Sequence, residues 1–434
     1  MAIKSVQTIS QPDSTRIESP GMSSIRPLIP LLATAGILIG GNGLQGTYIA
    51  LRGGAEGFSP SVIGAIGAGY SIGFAIGCIY VARILRAIGH IRTFAAMAAI
   101  TAAASLAMSL VIEPPFWFAM RFVIGICVAS LFAAIESWIN SMVTNSNRAR
   151  TLSVYRLVDL FSVTAVQYLV PAVGVEGPTI FSLICIAITL SIVPIALADR
   201  SAPSVPEAIH FELKTVWNIS PLAVVGVICV GLSMASFRNL GPIYATEIGM
   251  SVTGIANFMS AGIVGGVVLQ YPLGLYSDRL DRRLVILATT MGAAATSLFL
   301  AFFAGTDTWL NIVGVFLFGA FALPLYSLCS AHGNDFAREG QHALVSAGLL
   351  FYWSMGATAG PLLASMLLDI FGPRSFFIYT AIIQIGFTAY TVRRMMARPG
   401  VPAGERRQRF RALLRTSAWF SRLAAPAEDD KESR

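Results

Sequence analysis

The sequence predicts an all-α membrane protein in which twelve transmembrane helices form two pseudo-symmetric six-helix bundles. Three observations predict it. The chain is 55% hydrophobic and 12% charged, about half the charge of an average soluble domain. Apolar runs of about 20 residues, long enough to cross a bilayer core, recur along its 434 residues. Short signals also return at a near-constant distance. Gly57-Phe58-Ser59-Pro60 precedes the second run and Gly249-Met250-Ser251-Val252 the eighth, an offset of 192, while Pro30-Leu31 and Pro221-Leu222 open the first and seventh at an offset of 191.

In order, residues 1–24 are polar and Ser-rich, with no small-residue cleavage site after the first apolar run. They are expected to be a cytoplasmic segment and not a cleaved signal peptide. The N-terminal bundle, 25–198, holds spans at 28–50, 62–85, 93–112, 116–138, 152–173 and 178–197. A cytoplasmic linker, 199–217, carries Asp199, Arg200, Pro203, Pro206 and Lys214. The C-terminal bundle, 218–393, holds spans at 221–244, 254–276, 284–303, 309–329, 345–368 and 376–392. A basic tail, 394–434, follows, suited either to a solvated segment or to an amphipathic helix on the anionic inner leaflet. Arginines mark the cytoplasmic side: Arg83, Arg86 and Arg92 after the second span, Arg148 and Arg150 after the fourth, Arg279, Arg282 and Arg283 after the eighth. The alternate loops hold Arg52 and Arg374, so both termini are expected inside.

Composition excludes several classes. The five cysteines lie in apolar runs at wide spacing, and the four histidines have no ligand partner at metal-binding spacing. No Gly-x-x-x-x-Gly-Lys phosphate loop occurs. A net charge of +8 resides largely in the loops and tail, where it reports topology and not nucleic-acid binding. The expectation is therefore no enzyme, no cofactor and no metal, in a monomer whose surroundings are the lipid bilayer.

Glycines at three- and four-residue spacing (Gly64, Gly67, Gly69, Gly73 and Gly77 in the second span, Gly262, Gly265 and Gly266 in the eighth) allow helix backbones to approach closely. Charges inside spans are costly and point to function. Arg121 and Glu136 bracket the fourth span; Arg156 and Asp159, three apart in the fifth, share a face and can pair. Arg238 lies deep in the seventh span with no acid at helical spacing. It requires a partner from elsewhere, a water-filled cavity or an anionic solute group. Glu136 and Asp159 are the candidates for coupling to protons, since a buried carboxyl can exchange protons near neutral pH. Deep polar and aromatic residues supply further cavity candidates: Asn42, Gln45 and Tyr48 in the first span, Gln167 in the fifth, Asn239 in the seventh, Tyr352 and Trp353 in the eleventh. Helix-to-helix hydrogen bonds are the alternative role for these amides.

The charged stretch Gly274-Leu275-Tyr276-Ser277-Asp278-Arg279-Leu280-Asp281-Arg282-Arg283 resembles the loop signature of the major facilitator superfamily, with Asp281 in place of its second glycine. The first-half echo around Arg83, Arg86, Gly89 and Arg92 keeps the glycine and has Arg86 for the acid. Ile135-Glu136-Ser137-Trp138-Ile139-Asn140, Gln270-Tyr271-Pro272-Leu273-Gly274, and Ala331-His332 with Asn334-Asp335 narrow the resemblance to the YcaD-like bacterial branch. It covers about residues 25–393. It implies the major facilitator fold, a bacterial inner-membrane location and alternating access around a cavity lined by the first, fifth, seventh and eleventh helices. Arg121 matches that family's Arg-x-x-x-Gly element. Gly274, Asp278, Arg279, Arg282 and Arg283 match its gating loop, in which the acid latches the start of the fifth span. The fifth span lacks the Gly-x-x-x-Gly-Pro element of drug/proton antiporters. The expected function is a secondary active transporter for a small organic solute, leaning to uptake of a metabolite or a vitamin-like heterocycle such as riboflavin. Efflux of a hydrophobic compound is the alternative within that class; a non-transporting sensor or assembly factor is the alternative outside it.

Overall fold

The computed structural model describes residues 28–143, 148–197, 212–338 and 341–397. The first half runs α1 (Ile29–Ala55), α2 (Pro60–Ile88), α3 (His90–Leu110), α4 (Pro114–Met142), α5 (Arg148–Val166), α6 (Leu169–Val173), α7 (Thr179–Leu190) and α8 (Ile192–Ala196). The second runs α9 (Leu213–Ile219), α10 (Pro221–Glu247), α11 (Val252–Arg279), α12 (Arg282–Phe302), α13 (Thr308–Ala322), α14 (Leu325–Asp335), α15 (His342–Phe371) and α16 (Arg374–Ala397). With α5–α6, α7–α8 and α13–α14 each making one span, these helices form the twelve-span fold. Among the described residues, eleven spans are long and apolar enough to cross a bilayer by length and composition. The twelfth is α1, 27 residues long, whose apolar character Asn42 and Gln45 dilute. The expected 1–24 segment, most of the linker and nearly all of the tail lie outside the described residues. The end of the linker forms α9.

The repeated sequence signals are helix punctuation. Gly57 and Gly249 have φ near +80° and +84°, the left-handed conformation that ends a helix and that glycine adopts without a Cβ clash. Two residues later Ser59 and Ser251 cap the next helix, accepting from the backbone N–H of Val62 at 3.4 Å and of Gly254 at 3.1 Å. Glycine pairs repeat as well. A Cβ on Gly73 would lie 2.0 Å from the Phe122 carbonyl oxygen, and one on Gly265, 192 positions on, 2.0 Å from that of Phe316. Both halves thus seat their second span against their fourth backbone to backbone.

Three spans are interrupted, which the sequence reading took as continuous. Pro171 has no N–H to donate, so the turn before it tightens, with Gln167 N–H bonding Thr164 O at 3.3 Å and Tyr168 N–H bonding Ala165 O at 3.2 Å. Pro194 and Pro324 accompany the breaks at Ser191 and Leu323.

The charged stretch is helix more than loop, a second correction. Gly274, Asp278 and Arg279 belong to α11, Arg282 and Arg283 to α12. Asp281 caps α12, accepting from the Arg283 N–H at 3.0 Å and lying 2.7 Å from its guanidinium. Burial alone would push the Asp281 carboxyl up, but hydrogen bonds from the Arg283 side chain and backbone outweigh it and hold the group below the usual range. Residues His332, Asn334 and Asp335, beyond the expected end of the tenth span at 329, continue α14. Asp335 is buried there because it lies 2.7 Å from buried Arg282, which also lies 3.0 Å from Asp278 and donates to Ser277 at 2.8 Å.

Candidate functional site

A cavity of about 200 Å³ lies between the two bundles. Asn42 and Thr47 of α1, Tyr70 and Phe74 of α2, Phe132 of α4, and Arg156, Asp159 and Val163 of α5 come from the first half. Met234, Phe237 and Arg238 of α10, Met259 and Gln270 of α11, and Trp353 and Ser354 of α15 come from the second. The wall is therefore mainly apolar and aromatic, with a few polar groups, the usual make-up of a small-molecule site.

Of the residues expected at the cavity, Asn42, Gln167, Arg238, Trp353 and Asp159 line it. Five do not. Tyr48 is fully buried and donates to the carbonyls of Val175 and Gly177, both at 3.1 Å. Tyr352 donates to the Leu213 carbonyl at 3.1 Å. Asn239 turns back on its own helix, donating to Ala235 O at 2.8 Å. Gln45 and Arg121 stand behind the wall. Glu136 is fully buried in α4, one turn beyond the lining residue Phe132, and is not itself part of the lining.

Gln45 and Arg121 nevertheless reach the wall through a relay. Gln45 donates to Ser105 at 2.8 Å and accepts from Arg121 at 3.1 Å. The Arg121 guanidinium lies 4.3 Å from the centroid of the Tyr70 ring, a cation–π contact. The Tyr70 hydroxyl in turn donates to Asn42 Oδ1 at 3.2 Å. The expected pair on α5 forms at 3.1 Å. Arg156 also donates across the bundle interface to Gln270 Oε1 at 2.7 Å, and Gln270 donates to Ser327 at 3.2 Å. Sequence reasoning did not place Gln270 or Tyr70 at the site; an amide deep in the eighth apolar run is the signal that marks the former.

Other contacts join the halves. Tyr168 donates to Asn257 Oδ1 at 3.0 Å, Ser61 hydrogen-bonds Asp369, and Gly64 passes so close to α15 that a Cβ would meet Ser365 Oγ at 2.1 Å. Among the described residues no three His, Cys, Asp or Glu side chains converge as metal ligands.

The sequence model described as Major Facilitator Superfamily matches residues 21–220 and 223–426. An uncharacterized MFS-type transporter of Enterobacter sp. (strain 638) is 23% identical over 379 residues, covering 86% of this chain and 97% of its own. The uncharacterized MFS-type transporter YcaD of Escherichia coli O45:K1 (strain S88 / ExPEC) is 24% identical over 361 residues, covering 83% and 93%. Among solved structures, the nucleoside transporter NupG superposes with a TM-score of 0.71 at 10% identity, covering 86% of this chain and 98% of that one. A D-xylose-proton symporter gives 0.64 at 15% identity, covering 85% and 97%. The last two likenesses are of fold. Riboflavin, offered above as an example, finds no support among these proteins.

Proposed function

Because this chain belongs to the major facilitator superfamily, in its YcaD-like branch, we propose that it carries a small organic solute across the bacterial inner membrane by alternating access, in the direction of uptake. The observation that carries this reading is one small cavity walled by helices of both bundles. A solute held there touches both halves, so rocking one against the other changes which side it can leave from. The size of the cavity suits a metabolite, lying just below the range of about 300–1,000 Å³ usual for ligand pockets. The protein acts as a monomer, performs no covalent chemistry on the solute, and has both termini in the cytoplasm.

Protons are the proposed coupling ion, as they are for the D-xylose-proton symporter whose fold this chain shares. Asp159 is the better of the two candidate carboxylates because it lines the cavity, whereas Glu136 does not. The test is uptake of a labelled metabolite panel into proteoliposomes under an imposed pH gradient. Asp159→Asn is expected to abolish gradient-driven accumulation while leaving solute exchange, and Glu136→Gln to leave both. Accumulation surviving Asp159→Asn overturns the coupling assignment. Flux only outward reverses the direction, and no flux of any solute favours a sensor.

A further inference from the structure

The charge of the cavity is unbalanced. Its charged lining residues are Arg156, Asp159 and Arg238, so two cations stand against one anion and a single positive charge remains. Asp159 is engaged by Arg156 at 3.1 Å. Arg238 is exposed to the cavity, and among the described residues it has no carboxylate at ion-pair distance. A second cation stands behind the wall: Arg121, 3% exposed, meets the neutral Gln45 and the face of Tyr70 and, among the described residues, has no carboxylate at ion-pair distance. Two arginines without acid partners among the described residues thus bear on one small space. In a low-dielectric surrounding such charges are costly until a counter-charge arrives.

We propose, resting on the transporter reading above, that the solute is an organic monoanion whose carboxylate is taken by Arg238. The guanidinium fork matches a carboxylate with two parallel hydrogen bonds, and one negative charge balances the lining. The body of the solute is flat and apolar, because Tyr70, Phe74, Phe237 and Trp353 form the wall around it. A hydroxyl or N–H on that body would meet Gln167, a lining residue that is 2% exposed and whose buried Oε1 has no hydrogen-bond partner among the described residues. A single-ring aromatic acid meets all of these terms.

The test uses the full chain purified in detergent. Binding of radiolabelled 4-hydroxybenzoate is competed by matched acids and amides: benzoate and benzamide, nicotinate and nicotinamide, 4-hydroxybenzoate and 4-hydroxybenzamide. The same compounds are then followed for flux in proteoliposomes. The acids are expected to compete at least tenfold better than their amides. Arg238→Gln is expected to weaken acid binding tenfold or more and erase that preference, with amide binding unchanged; Arg238→Lys retains part of it. Unchanged thermal melting of Arg238→Gln checks its fold, and the acid–amide comparison on the native chain needs no variant. The proposal is overturned if amides compete as well as acids, if no acid binds, or if Arg238→Gln removes neutral and acidic solutes alike. Acid binding without flux in either direction sinks the transport reading and leaves the anion site; carriage of neutral solutes with no acid bound does the reverse.

Discussion

Arg282 ties three elements together through one side chain. It starts α12, lies 3.0 Å from Asp278 near the end of α11, and lies 2.7 Å from Asp335 at the end of α14. Both Arg282 and Asp335 are buried, so removing the carboxylate leaves a cation short of partners in a site water does not reach. Breaking a buried pair costs about 3–5 kcal/mol; because Asp278 stays, Asp335→Asn is expected to cost less, about 1–3 kcal/mol. Thermal unfolding in detergent reads this as a lowered midpoint. Asp278→Asn removes a partner about a quarter exposed and is expected to shift the midpoint less. An unchanged midpoint for Asp335→Asn would show that the clamp does not hold the fold.

At the scale of the element, the α2–α15 contact is an interface between the two halves at which a single methyl group matters. A Cβ on Gly64 would lie 2.1 Å from Ser365 Oγ and 2.7 Å from the Pro361 carbonyl oxygen. The hydroxyl can rotate away, but the carbonyl belongs to the backbone, so the helices must part. Overpacking of this kind costs about 1–3 kcal/mol. Gly64→Ala is therefore expected to lower both melting temperature and flux, while Gly386→Ala in α16, with nothing within 4 Å of its Cβ, changes neither. Equal behaviour of the two variants would remove close approach as the reason for Gly64. The glycine spacing was legible as packing, but not which glycines face the other half. Spacing names a face of a helix, and the partner on that face is a fact about another part of the chain.

For the whole molecule, two cross-bundle bonds set the geometry of α5 against α11. Tyr168 meets Asn257 and Arg156 meets Gln270, an antiparallel run that continues towards the start of α5 and the end of α11, where Asp278 stands. The proposed latch is between that acid and the N-terminus of α5. An anion at a helix N-terminus gains about 0.3–1 kcal/mol, a change of about two- to fivefold in a two-state ratio. Asp278→Asn is expected to shift the protein by that factor towards the state open at that end and to slow transport. Arg86→Ala, at the equivalent place in the first half, is expected to do little, since Arg86 instead donates to its own helix at Ala82 O at 3.2 Å. Accessibility of engineered cysteines at that end reads the shift; equal effects, or none from Asp278→Asn, would remove the asymmetric latch.

The sequence by itself determined the twelve spans, the two repeats and the turns between them. Each of those is local: a run of apolar residues matches a bilayer, and a glycine followed two residues later by a serine ends one helix and starts the next. The pairing of Arg156 with Asp159 was legible for the same reason, being set by one turn of one helix. Only the tertiary structure decided which deep polar groups reach the cavity. Asn42 and Gln45 lie three apart on one face of α1, yet Asn42 lines the cavity and Gln45 turns to Arg121 and Ser105. A helical face is broad enough to be shared between a cavity and a neighbouring helix, and the division depends on how that neighbour is rotated. The same physics placed Arg238 in the wall and Tyr48 outside it, and carried Gln270 to Arg156 across 114 residues of chain.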